Sequence, residues 1–457
     1  MTFESLGIDQ LFVDEAHIYK NLRFSTSMTG IKGLGSAANG KGADIAWDMF
    51  QKVRHLQQNG KGIVMATGTP IANTIAELWT MMRYLQPRYL EEHGWQNFDG
   101  WARTFGVTES DIEQTAQGTF KPIERFVRFD NLAEINRGWQ ETADIRVGTE
   151  TPEMDKLKPM LIEKDGAGNR TIVTADPDEA YLHYMQEIGA RADMMATVDP
   201  KEDNFLKLSS DAAKASLDMR LIDPGLPANP RGKVAIAAVN VYDFYLESMK
   251  DKGTALIFTD LGVPHPGDVA PDVDLENVAE ADLETPEEAK DSTSLFGWLR
   301  QAMVDLGIPR EEIAFINDAK TNPQRKALER KMNAGEIRVL IGTNKKMGVG
   351  LNIQQRLGQE HFLTVGWRPD EVEQPEGRAL RPGNKVYGRV YDENGEVISD
   401  GKGVQIFRYI QEGAPGAASF DGVKWQAIQK KAMGIKSVFR RDVTARSVED
   451  VSRDSLG

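Results

Sequence analysis

The chain has 457 residues, too many for a single hydrophobic core, and reads as two or three domains. It contains no cysteine, which excludes disulfides and thiolate metal sites and fits a reducing cytoplasm, and no apolar run approaches the roughly 18 residues that span a bilayer. The net charge of −14 argues against a polyanionic partner only at first sight, because ten carboxylates between Asp268 and Asp291 face Lys290 alone.

In chain order, the elements alternate as parallel α/β sheets require. Residues 11–13 read as a buried strand ending in Asp14-Glu15-Ala16-His17, which brings two carboxylates to the carboxyl edge of a sheet. The first can hold Mg²⁺ through water, and the second can orient and deprotonate an attacking water. ATP chemistry also needs a Gly-rich loop whose N–H groups and lysine cradle the phosphates, and only Met1 to Val13 stand ahead of Asp14. Residues 45–56 form a helix with Ile45, Met49, Phe50, Val53 and Leu56 on one face. Residues 62–66 are a second buried strand, ending in Thr67-Gly68-Thr69-Pro70, and 77–85 a helix stopped by Pro87. From Arg88 to about Pro230 the pattern is mostly helical, with no strong parallel-strand run. A second α/β unit begins near Lys233, with strands at 255–259, 313–316, 339–341, 362–365 and 404–407. Helices at 235–249, 296–306 and 323–334 separate them, the acidic run reads as a solvated loop, and 389–398 around Glu393-Asn394-Gly395 reads as a hairpin.

Five short motifs now stand in a fixed order. They are Asp14-Glu15-Ala16-His17, Thr67-Gly68-Thr69-Pro70, Leu256-Ile257-Phe258-Thr259, Gly342-Thr343 through Gly348-Val349-Gly350-Leu351-Asn352, and Gln374 through Gly377-Arg378 to Arg381. This order resembles motifs II to VI, including a DEAH motif, of superfamily 2 helicases and translocases. The Thr-Gly-Thr-Pro-Ile form and Trp367-Arg368-Pro369 resemble the Swi/Snf-type branch. Residues 73–85, 217–224 and 378–384 are similar to DarB-like antirestriction proteins of phages and mobile elements, in which the helicase module is often fused to an adenine methyltransferase. The resemblance covers nearly the whole chain.

The resemblance implies an α/β fold of two RecA-like lobes with parallel sheets, the first lobe incomplete. Residues 1–88 would be the carboxy-terminal part of the first lobe, 89–230 a helical connecting region, 231–412 the second lobe with the acidic loop 268–291, and 413–457 a basic helical tail. ATP and Mg²⁺ are the implied cofactors, with Asp14 holding the metal through water and Glu15 as general base. Arg378 and Arg381, three apart on a helix and so on one face, would neutralise charge on the transferring phosphoryl group, an effect worth about 10³–10⁵ in rate elsewhere. Gly350, Asn352 and Gln374 would approach the nucleotide, and His17, Thr67 and Thr69 would relay its state. Thr343, Lys345 and Lys346 would contact the phosphates of DNA, expected to be double-stranded. The other expected partner is the missing amino-terminal part of the lobe, or a chain that supplies it; no membrane is expected.

Two features stay open. Lys424, Lys430, Lys431, Lys436, Arg440 and Arg441 around Trp425 could track a DNA backbone, or form a solvated helix docked by Trp425 and Ile428. Residues 35–42 nearly match phosphate-loop spacing, but Gly42 stands where a metal-ligating Ser or Thr belongs, no apolar strand leads in, and a loop near the DNA groove is the better reading. Lacking that loop, the chain forgoes several charge-assisted hydrogen bonds of roughly 1.5–3 kcal/mol each, so little or no ATPase activity is expected of it alone. The expected function is the carboxy-terminal portion, truncated, of an ATP-dependent DNA helicase or translocase. The alternative is a non-catalytic nucleic-acid-binding or docking protein with a degenerate helicase fold. No Asn-Pro-Pro-Tyr or Asp-Pro-Pro-Tyr occurs, so methyl transfer is not expected of this chain.

Overall fold

The computed structural model describes residues 2–28, 40, 42–69, 71, 76–114, 120–145, 156–162, 170–194, 198–199, 203–263, 294–348, 351–364, 366, 368–414, 419–426 and 428–429. Residues 35–39 and 41 of the phosphate-loop look-alike 35–42, the acidic run, Gly350 and the basic residues from Lys430 onward lie outside them. The first compact unit takes the chain to Val147, and the second runs from Gly148 to Ala427 apart from Arg368–Asp370.

In the first unit, β1 (Gln10–Val13) lies parallel to β2 (Gly62–Met65), and the helix Asp44–Gln58 makes the crossover that parallel pairing requires. Leu11, Val13, Ile63 and Met65 face the core. The helix Ala76–Leu85 is buried nearly all round and ends before Pro87, which opens the next helix, Pro87–Glu92. Trp79 meets Phe98 edge-on at 5.4 Å within this core, beside fully buried Trp101. The two strands are not buried on both faces as expected: Phe12 and Val64, register partners, are 70% and 42% exposed. Two strands carry one covered face here, and every second side chain points away from it.

Two segments within 89–230 are not helical. β3 (Gly106–Gln114) pairs antiparallel with β4 (Phe120–Phe129), whose three phenylalanines, Ile123 and Val127 suit a pleated surface. β5 (Thr171–Ala175), a β-branched run, joins the sheet of the second unit. Helices Leu132–Gln140, Glu179–Met194 and Phe205–Leu217 make up much of the remainder.

The second unit holds a six-stranded parallel sheet in the order β5-β12-β9-β6-β8-β7, in agreement with the parallel α/β lobe expected there. Its further strands are β6 (Thr254–Phe258), β7 (Ile313–Phe315), β8 (Val339–Gly342), β9 (Leu357–Phe362) and β12 (Gln405–Gln411). β10 (Val390–Tyr391) and β11 (Val397–Ser399) form the expected hairpin, with Gly395 left-handed at its turn. The helix Asn322–Ala334 starts in a capping box of Thr321 and Gln324 and stops at left-handed Gly335.

The strand expected at 362–365 lies five residues earlier, and all six residues of β9 are buried. Gln359, Glu360 and His361 disguised it. Gln359 and His361 face the helix Lys233–Glu247: His361 Nδ1 lies 2.9 Å from the Tyr409 hydroxyl, which also accepts from Asn240 Nδ2 at 2.9 Å. Glu360 points to the opposite face. Among the described residues no helix is long and apolar enough to cross a membrane.

Candidate nucleotide and nucleic-acid sites

The acidic motif sits where β1 ends. Ala66 N–H donates to Val13 O at 2.8 Å and Ala16 N–H to Ala66 O at 2.9 Å, so the pairing of β1 and β2 continues past both strands. That continuation brings Thr67 beside His17, whose Nδ1 lies 3.1 Å from Thr67 Oγ1 and 3.2 Å from Glu15 Oε2. The Glu15 carboxylate favours the tautomer with hydrogen on Nδ1, shared between the two oxygens. Thr67 Oγ1 accepts from Thr69 N–H at 3.1 Å. Glu15, His17, Thr67 and Thr69 are thus brought together. Glu15 holds a left-handed backbone at φ 49°, a conformation that costs a non-glycine about 1–3 kcal/mol and concentrates at functional sites. Asp14 is exposed, and its Oδ1 accepts from Glu15 N–H at 2.9 Å. One exposed carboxylate fits a metal held through water; no cluster of three acidic or imidazole ligands exists among the described residues.

Below this edge, Lys20 and Glu77 form a buried ion pair at 3.4 Å, and the Tyr84 hydroxyl donates to Ala46 O at 2.7 Å. Gly42 is a packing residue. A Cβ there would lie 2.6 Å from Asn21 O, and Ala43 N–H donates to that same oxygen.

In the second unit, the carboxyl edge of the sheet gathers Asp260 after β6, Thr343 and Asn344 after β8, Thr364 after β9 and Asn317 after β7. Thr343 caps the short helix Asn344–Met347 by accepting from Lys346 N–H at 3.2 Å, and Lys345 and Lys346 are exposed. Asn352 is held by its backbone: its N–H donates to Glu329 Oε1 at 3.2 Å and its carbonyl accepts from Asn333 Nδ2 at 2.7 Å.

The arginine pair does not share a face. The helix Asp370–Ala379 ends between the two residues; Arg378 is 2% exposed and its Nη1 donates to Leu351 O, whereas Arg381 is exposed. Gln374 is half-buried on the same helix. Glu376 does not pair with either arginine of the motif. Its buried carboxylate takes Arg170 through Nε at 3.1 Å and Nη2 at 3.0 Å, and Arg408 through Nε at 2.8 Å. Glu360 lies fully buried on β9 beneath this helix. Burial, then the Glu376 charge, push its carboxyl well above the ordinary range, against the opposing pull of Arg378.

The residues that sequence reasoning missed are Asp260, Glu360 and Glu376 with its two arginines. No local signal marks Glu360, because Gln359 and His361 beside it make the strand read as polar. In the basic tail, Lys424 is 7% exposed, and burial holds its ammonium below the usual range. Arg408 stacks over Trp425 at 4.3 Å.

Residues 1–147 match the family described as "Probable helicase domain". The chain is 27% identical over 218 residues to "Defense against restriction protein B" of Escherichia phage P1, covering 45% of this chain and 9% of the phage protein. Among solved structures it is similar to the Sulfolobus solfataricus SWI2/SNF2 ATPase C-terminal domain, at 13% identity and a TM-score of 0.35, over 60% of this chain and 86% of that one. The two sequence matches agree with the motif order: residues 1–147 are similar to a helicase domain, and part of the chain is similar to a phage defense-against-restriction protein, of which it spans about a tenth.

Proposed function

We propose that the chain is the acid-and-arginine portion of an ATP-dependent helicase or translocase acting on double-stranded DNA in a reducing cytoplasm. The convergence of Glu15, His17 and Thr67 at the end of β1 carries this reading. Bound Mg²⁺ would neutralise phosphate charge, with Asp14 holding it through water. Glu15 takes the proton of the attacking water, and His17 ties the position of Glu15 to Thr67 and Thr69. Arg381, exposed past the helix end, is free to reach a phosphoryl group, whereas Arg378 holds Leu351 in place. Asn352 and Gln374 line the approach of the nucleotide, and Thr343, Lys345 and Lys346 take the DNA backbone. The phosphate loop would come from an amino-terminal part of the same lobe or from a chain that supplies it, and a fused or associated adenine methyltransferase follows the DarB-like pattern.

No Gly-x-x-x-x-Gly-Lys-Ser or Gly-x-x-x-x-Gly-Lys-Thr occurs in these 457 residues, so ATP turnover by them alone is expected to be negligible with or without DNA. A DNA-stimulated ATPase assay on the purified chain tests this, and turnover abolished by Glu15→Gln would show a complete nucleotide site within it. The burial of Arg378 favours one element of a second reading, a docking protein in which that arginine serves packing. DNA-stimulated ATP turnover once the phosphate loop is supplied, lost in Glu15→Gln, separates the two, since only the first reading cleaves ATP.

A further inference from the structure

We infer that Asp260 positions the phosphate-contacting turn of the second unit, so that an acidic side chain strengthens the grip on a polyanion. The inference rests on the nucleic-acid role proposed for Thr343, Lys345 and Lys346. Taken alone, an exposed carboxylate at the same sheet edge as two lysines should repel DNA. Here both of its oxygens are engaged. Asn344 N–H donates to Oδ1 at 2.9 Å and Asn344 Nδ2 to Oδ2 at 2.7 Å, a two-pronged, charge-assisted contact on a residue only 7% exposed. Asp260 N–H in turn donates to Thr364 Oγ1 at 3.0 Å.

The contacts lace together the ends of neighbouring strands. Thr364 follows β9, Asp260 follows β6 and Asn344 follows β8, while Lys346 Nζ reaches Asn317 Oδ1 after β7 at 2.6 Å. The helix Asn344–Met347 has four residues, too few to hold itself by propagation. Its first residue is the one Asp260 grips. With Asn344 anchored, the Thr343 hydroxyl and the amines of Lys345 and Lys346 leave one fixed turn, and the entropy of ordering them is spent in folding rather than on binding.

Bare charge and positioning predict opposite signs, which makes the test decisive. Binding of the full chain to a fluorescein-labelled DNA duplex is followed by anisotropy over a series of salt concentrations. Asp260→Ala is expected to weaken binding about tenfold despite removing a negative charge, and to reduce the slope of log affinity against log salt by about one phosphate contact. Asn344→Ala, which leaves the acid in place, is expected to weaken binding likewise, and the double variant to be no worse than either single one. It also keeps the question answerable should Asp260→Ala fail to fold. Binding lost in Lys346→Ala but unchanged or tightened in Asp260→Ala and Asn344→Ala would overturn the positioning role alone. A wild-type chain showing no salt-dependent binding would overturn the nucleic-acid reading and this inference with it.

Discussion

His17 Nδ1 stands 3.1 Å from Thr67 Oγ1, although the two residues are fifty positions apart. The contact exists because β1 and β2 run parallel in a register that carries Asp14 and Ala66 past the strand ends together. It joins the acidic motif to the threonine turn within one compact unit. Any shift of Glu15 is thereby felt at Thr67.

Thr67→Val removes the acceptor for both His17 and the Thr69 amide while keeping the side-chain shape. Thr69 N–H exchange with solvent is expected to accelerate about tenfold, the equivalent of one modest hydrogen bond. Amide exchange by NMR reads it directly; an unaltered Thr69 rate would mean that the hydroxyl does not hold the turn.

Glu376 is the common counter-ion of Arg170 and Arg408 and is almost completely buried. Glu376→Ala leaves two guanidiniums short of their acceptor and should cost about 3 kcal/mol. Urea unfolding of the chain measures the loss, and a change below about 1 kcal/mol would show that the clamp is dispensable.

Stability should also fall with rising pH through Glu360. Its carboxyl is raised by burial in the folded chain, so the fold retains a proton that the unfolded chain releases above the ordinary value of 4.5. The cost therefore grows between 4.5 and the raised folded value, and is absent below that window. Glu360→Gln mimics the protonated form at every pH. Thermal melts should show it more stable than wild type at about pH 8 and nearly equal at about pH 4, and an equal shift at both would remove Glu360 as the titrating group.

Gly42→Ala pushes a methyl group against Asn21 O, backbone that cannot swing aside. A loss of about 1–3 kcal/mol is expected, seen as a lower Tm. Gly68→Ala is the control: nothing lies within 4 Å of its Cβ, and its effect should stay within about 0.5 kcal/mol. Equal effects at the two glycines would contradict the packing assigned to Gly42.

Much of the second sheet was legible because β6 and β8 are continuous apolar runs, as strands buried on both faces must be. β9 was misplaced because Gln359 and His361 at its centre are satisfied by Gln405 and Tyr409, partners that no local window contains. β5 was overlooked as an edge strand with alternating exposure inside a helical neighbourhood, and β4 because Pro122 and its charged residues mask the aromatic pattern. The motif residues were readable one by one. Their environments were not: the i, i+3 spacing of Arg378 and Arg381 implies a shared face only if the helix continues, and it stops at Ala379.

By itself, the order of residues determined the alternation of strands and helices, the carboxylates at the end of β1, and the resemblance to helicases, since all three are written in local periodicity and short motifs. Tertiary structure alone decided that Arg378 is buried and Arg381 exposed, that Glu376 binds Arg170 and Arg408, and that Asp260 grips Asn344. Those outcomes depend on which distant segments meet, and burial, hydrogen-bond partnership and charge are properties of such meetings.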